Sequence, residues 1–409
     1  MTRTDESIEV RYGWVIIGAS LLLSAIAQGA PNILFVTLKS VAADFLWPRA
    51  IPSTAYALLM IGSGVGGVLM GWWMDKRGVL YPVVFGSLMI GLGAWVISRA
   101  QGEWSLYLAN GLLLGLLGES AMIAPLIANV TKWFDRRRGL AVAIIASGQG
   151  MAGAIWAPVA RHLNDSVGWR ETYSAYAIFV LLTMVPLAFL LNVKPPATLG
   201  VVHETDAKKR PVVLGLSARR VQSLLCVAVV GCCVAMAMPL VHLISHTTDL
   251  GYSSKQAAQL FSVLFIVSFF SRIAFGTLAD RIGGMRTMLI ASSCQAAVLA
   301  CFAFVDTLTG LYFAAVAFGL GFAGIMPCYS LIIRMWFPVA DAGWRIATVY
   351  LFAASGMALG GWLGGVVFDV TGTYRNAFAF GFAFNLINLV VIGGLFVRQT
   401  RLSLHPEAV

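Results

Sequence analysis

A chain of 409 residues that is 59% hydrophobic and 11% charged, with a mean hydropathy of +0.83, holds less than half the ionised side chains of a soluble domain, where about 25% is usual. That excludes an ordinary water-soluble enzyme. The formal net charge of +10 would suit a nucleic-acid partner in a soluble chain, but here Lys and Arg gather in short segments between apolar runs, which is the mark of membrane topology.

In chain order, the head MTRTDESIEVR mixes acids and bases and lacks a compact cationic region followed by a cleavage site, so the first apolar run is expected to stay as a helix. Runs long enough to cross a bilayer lie near 12–36, 52–73, 80–99, 104–130, 139–163 and 170–192. A second set lies near 220–247, 256–279, 287–307, 309–333, 342–367 and 375–397, which predicts twelve spans. The longest polar segment, 194–219, reads as a linker joining a six-helix bundle over 1–193 to another over 220–409. With an even number of crossings both termini share one side. That side collects 20 of the 28 Lys and Arg residues and the other 7, with Arg272 left inside a span, so the termini are expected in the cytoplasm.

The halves repeat. Gly71-Trp72-Trp73-Met74-Asp75-Lys76-Arg77-Gly78 returns as Gly276-Thr277-Leu278-Ala279-Asp280-Arg281-Ile282-Gly283. Trp133-Phe134 returns as Trp336-Phe337, and Gly168-Trp169-Arg170 has an echo in Gly372-Thr373-Tyr374-Arg375. Paired halves are the plan of an alternating-access carrier, whose bundles rock about a midplane site. The six cysteines fall in apolar segments of the second half without metal-site or disulfide spacing, and read as small buried hydrophobes.

Arg272 lies eight residues before Asp280, hence about 12 Å deeper at the helical rise, near the middle of a hydrocarbon layer roughly 30 Å thick. A charge there is costly and marks a wet cavity or an internal ion pair. His242, His246 and Asp249 follow at i, i+4 and i+7 on one helical face. The stripe could relay protons or sit at the membrane interface, and as a metal site it lacks further ligands. Glu119, in GLLGESAM, is the deepest glutamate. It reads as a protonatable coupling residue, as a partner neutralising Arg272, or as a neutral acid bonded between helices. Gln28, Asn32, Gln149, Tyr329 and Tyr350 are neutral polar groups suited to orienting a solute, or to holding helices together.

The repeated G-x-x-x-D-[RK]-x-G loop resembles the signature of the major facilitator superfamily. Arg11-Tyr12-Gly13-Trp14, Lys132 to Ala141, Ser147 to Gly150 and the block from Val241 to Gly251 resemble its monocarboxylate and oxalate/formate carrier branch. The resemblance implies an all-α membrane protein of twelve helices. It assigns gating to Gly71, Asp75, Arg77, Gly78, Gly276, Asp280 and Arg281, and makes Arg272 the anchor of a substrate anion. In that family the helices that here carry Gln28, Asn32, Gln149, Tyr329 and Tyr350 line the cavity; from the residues themselves His242 is a further cavity candidate, and Glu119, which departs from the usual pattern of the branch, Asp249 or His242 would couple protons. In animal monocarboxylate carriers an aspartate stands one turn before that arginine; here the position is Ser268, so coupling needs another acid, whereas an anion exchanger needs none.

The expectation is a secondary active transporter of a small organic anion, most simply a proton-coupled monocarboxylate carrier, acting as a monomer in the plasma membrane, the inner membrane if the cell is bacterial. An anion exchanger, a drug or sugar exporter and a transport-dead receptor are the alternatives. No Walker loop, dinucleotide fingerprint or nucleophile elbow is present, so neither catalysis nor a cofactor, metal or nucleic-acid partner is expected.

Overall fold

The computed structural model describes residues 10–134, 137–195 and 212–404. Most of the predicted linker, 196–211, therefore lies outside the described residues, as does Arg136, and the Asp75 side chain is likewise not described. Among the described residues eleven helical segments are long and apolar enough to cross a membrane. One of them, Leu140–Phe189, runs for 50 residues and is interrupted at Gly168, where φ is +85°, a backbone state open to glycine but not to residues with a Cβ.

Three other spans break beside prolines, although Pro158, Pro186 and Pro239 sit within continuous helix. A proline inside a helix removes one N–H and its ring clashes with the carbonyl four residues back. The first predicted span accordingly divides into α1 (Arg11–Ala27) and α2 (Gly29–Asp44), four residues before Pro31. The fourth divides into α5 (Glu103–Leu108), a π-helical stretch over Ala109–Gly118, a 3₁₀ turn over Glu119–Ala121 and α6 (Ala124–Val130), whose N-terminal turn holds Pro125. The tenth divides into α12 (Leu308–Phe322) and α13 (Ile325–Trp336), with Pro327 just beyond the break. Unbroken crossings are α3 (Ala50–Arg77), α4 (Leu80–Ser98), α9 (Ala218–Asp249), α10 (Ser254–Ile282), α11 (Gly284–Phe302), α14 (Val339–Thr371) and α15 (Tyr374–Leu404). The short α7 (Arg138–Ala146) leads into α8 (Gly148–Phe189), the helix that turns at Gly168.

The repeat seen in sequence is a repeat of backbone geometry. Gly78 and Gly283, which close the matched loops, have φ of +85° and +86°. Gly168 and Gly372, at the looser match, have +85° and +70°. The chain is not purely helical: β1 (Val212–Val213) pairs antiparallel with β2 (Leu216–Ser217). Leu214 and Gly215 both take positive φ between them, as a tight hairpin requires. Arg398 of α15 clasps that turn, donating to the carbonyls of Leu214 (2.5 Å) and Gly215 (3.2 Å).

Contacts group the described residues into two units, one within 1–34 and 61–203, the other within 35–60 and 204–409. In the first, α3 and the π-helical stretch meet at a small-xxx-small pair, Gly62 and Gly66, the device by which helix backbones approach in lipid. A Cβ on Gly62 would stand 2.2 Å from the Gly111 carbonyl oxygen, and one on Gly66 would stand 2.1 Å from that of Leu116. Backbone cannot yield as a flexible side chain does. Gly66→Ala is expected to destabilise the protein by about 1–3 kcal/mol through overpacking, whereas Gly67→Ala, where a Cβ meets nothing within 4 Å, is expected to be neutral; thermal unfolding of both variants in detergent checks the contrast.

Candidate functional site

Three groups of polar side chains lie inside or at the ends of the helices. The first surrounds Arg272, half-buried on α10. Its guanidinium interacts electrostatically with the phenol of Tyr350 on α14, and Ser330 on α13 lies 3.4 Å from the Tyr350 hydroxyl as a hydrogen-bond donor. The serines near Arg272 are bonded elsewhere: Ser271 donates across to the Leu320 carbonyl of α12 at 2.5 Å, and Ser268 to the Phe265 carbonyl of its own helix at 2.8 Å. The arginine thus shares its surroundings with neutral hydroxyls on two further helices.

The second group stands at the ends of α2, α3, α9 and α14. Asp249, the last residue of α9, accepts from both terminal nitrogens of Arg49, through Nη1 and through Nη2 at 3.0 Å, and from Lys39 Nζ at 2.6 Å. Asp369 accepts the backbone N–H groups of Arg49 (2.9 Å) and Ala50 (2.7 Å). It thereby satisfies donors at the start of α3, where a helix favours an anion. The Arg49 guanidinium lies over the Phe368 ring at 3.6 Å and near that of Tyr374. Burial works against its charge, but the hydrogen bond to Asp249 and the neighbouring Tyr374 outweigh burial and hold it above the ordinary arginine range. Two cations and two carboxylates make a neutral cluster.

The third group is in the first unit. Glu119 is 1% exposed, and neither carboxyl oxygen has a hydrogen-bond partner among the described residues. It occupies the first position of the 3₁₀ turn that breaks the fourth span. Tyr176 of α8 interacts with it electrostatically and donates to the carbonyls of Ile26 (2.8 Å) and Ala27 (3.2 Å). Trp156 donates to the carbonyl of Ala25 at 3.0 Å. Three successive carbonyls beside the α1–α2 break are therefore met by two side chains that stand on either side of the Gly168 turn.

The remaining expected site residues are distributed otherwise. His242 is fully buried; it stacks on Tyr374 at 4.9 Å and its Nε2 lies 2.8 Å from the Gly361 carbonyl. A carbonyl only accepts, so Nε2 carries the hydrogen. His246 is enclosed by the rings of Tyr374 and Phe378. The stripe from His242 to Asp249 is thus divided between a backbone carbonyl, aromatic rings and the ionic cluster. Tyr329 is fully buried and donates to Asn388 Oδ1 at 2.9 Å; Asn388 and Asn385 both bond Ser292, tying α11, α13 and α15 together. Asn32 donates to the Gln28 carbonyl at 2.6 Å across the α1–α2 break, and Gln28 and Gln149 are partly exposed. Arg77, Gly78, Asp280 and Arg281 are exposed at helix ends, and a Cβ on Gly71 or Gly276 would meet nothing within 4 Å.

Sequence reasoning missed Arg49, Asp369, Trp156 and Tyr176. Arg49 and Lys39 counted only as loop charges, and their partners lie some 200 and 320 residues away, a separation that one sequence does not reveal.

The family model of the Major Facilitator Superfamily matches residues 19–330. The bovine protein named monocarboxylate transporter 13 is 27% identical over 389 residues, covering 92% of this chain and 87% of its own length. Its rat counterpart is 27% identical over 400 residues, covering 94% and 89%. These names fit the carrier branch to which the motifs pointed. A crystal structure of a bacterial homologue of the human lysosomal transporter Spinster superposes with a TM-score of 0.72 at 13% identity, covering 96% of this chain and 98% of that one, which shows the fold.

Breaking the ionic cluster strands buried charge. Asp249→Asn is expected to cost on the order of 2 kcal/mol, since both partners are only partly exposed, whereas Asp306→Asn, which removes the open Arg375 pair, costs less than about 1 kcal/mol. Melting curves of the two variants test the difference, and a double-mutant cycle with Arg49→Gln isolates the coupling.

Proposed function

Because the chain belongs to the major facilitator superfamily, we propose that it is a secondary active transporter of a small organic anion, a monocarboxylate, with Arg272 as the group that holds the carboxylate. The observation that carries this reading is the position of Arg272, inside an apolar helix and beside neutral hydroxyls on α13 and α14. Placing arginine at the centre of a span costs about 2.5–3.5 kcal/mol on insertion scales, a cost that a structural residue would not incur. Guanidinium offers two parallel N–H donors to a carboxylate, a geometry lysine does not reproduce, and Tyr350 is placed to donate to the same solute. One cation matches one carboxylate; a dicarboxylate would bring a second charge without a partner.

On this reading the 50-residue segment crosses twice, turning at Gly168, which gives twelve crossings with both termini in the cytoplasm by the distribution of Lys and Arg. The bundles 1–193 and 220–409 alternate access to the substrate. The matched loops with Gly71, Asp75, Arg77 and Gly78, and Gly276, Asp280 and Arg281, act as gates, and Gln28, Asn32 and Gln149 orient the solute.

Arg272→Ala is expected to abolish saturable uptake of labelled lactate, pyruvate or acetate by proteoliposomes, and Arg272→Lys to lower it by about tenfold or more, the loss typical of a charge-assisted pair. Undiminished uptake of all three acids by a folded Arg272→Ala protein would exclude the anchor.

A further inference from the structure

We infer that Glu119 is the site of the coupling ion, and that the ion is a proton carried on its carboxyl group while the fourth span is broken and closed around it. The inference rests on the reading of the chain as an anion carrier, and supplies the partner charge that reading leaves open.

Glu119 sits at the junction of a π-helical stretch and a 3₁₀ turn, the kind of helix irregularity that concentrates at functional positions. The junction is built rather than frayed. Gly66 admits the Leu116 carbonyl, Ser120 donates to that carbonyl at 2.6 Å, and Pro125 fixes the restart of the helix.

Nothing described can hold Glu119 as an anion. Both oxygens are buried without a donor. The titratable group that interacts with it is Tyr176 of α8, which in turn interacts with Tyr173. The single hydrogen of Tyr176 is committed to the carbonyls of α1, so its oxygen presents only lone pairs, which a carboxyl can use only when it carries a proton itself. A carboxylate buried without a donor is strongly disfavoured relative to the neutral acid. Among the described residues no group of three or more His, Cys, Asp or Glu side chains comes together.

The step balances simply. When the break opens to water, the carboxyl releases one proton and becomes a carboxylate; before it closes again it takes one proton back. One monocarboxylate and one proton moving together carry no net charge, so transport answers to the pH gradient and not to the membrane potential.

The test has two arms, both on the full chain. Infrared difference spectra of the purified protein read the carbonyl stretch of protonated carboxyls without any substrate. The wild type is expected to show such a band at neutral pH that Glu119→Gln lacks; identical spectra would overturn the proposal. In proteoliposomes with lactate, pyruvate and acetate as probes, Glu119→Gln is expected to keep exchange of labelled for unlabelled acid within about threefold of wild type while losing acid-driven proton entry by about tenfold or more. Glu119→Asp, which keeps a titratable group, retains proton entry with an altered pH profile. Proton entry undiminished in Glu119→Gln, or accumulation driven by sodium at constant pH, would overturn the assignment. If no probe is moved at all, the anion reading fails while the infrared arm still decides the protonation of Glu119.

Discussion

A chain that crosses lipid must satisfy every backbone N–H and C=O from within, and this obligation governs where the polar side chains of this protein stand. At the α1–α2 break Trp156 donates to the carbonyl of Ala25, and Tyr176 to those of Ile26 and Ala27. Gly29 makes this possible, since a Cβ there would stand 2.7 Å from the Tyr176 ring and 2.8 Å from that of Trp156. A proline that breaks one helix thus dictates two aromatic donors on another, and one of those donors becomes the neighbour of Glu119. The polar geometry of the first unit follows from backbone accounting.

Charge obeys a similar economy. At the helix ends, where Arg49, Lys39, Asp249 and Asp369 meet, opposite signs are gathered, hydrogen-bonded and laid against aromatic rings. Inside the spans the pattern reverses. Arg272 is set among hydroxyls, and Glu119 among groups that offer it no hydrogen. Ion pairs gathered at helix ends stabilise the ends they join, whereas a charge inside a span is costly to place and so marks a position of interest.

Much of this was legible in one sequence because hydrophobic length and positive charge act locally. Most span positions and the paired loops ending in Gly78 and Gly283 follow from counting along the chain. What escaped depends on contacts between distant segments. Tyr329 reads as a cavity phenol, yet Asn388 lies 59 residues on and takes its hydrogen. The stripe of His242, His246 and Asp249 reads as one unit along a helix, but three different neighbours divide it. Pro31, Pro125 and Pro327 announce breaks; which carbonyls would be released, and to whom, required the fold.

The π-helical stretch over Ala109–Gly118 has a geometric consequence of its own. Wider winding stores surplus chain within a fixed axial length, and absorbing one stored residue into ordinary α winding rotates whatever follows by roughly 100° about the axis. Glu119 is the first residue to follow. Shifting that surplus past Glu119, so that the winding widens after it and not before, would turn its carboxyl toward a different side of the helix axis while both ends of the span stayed where they are.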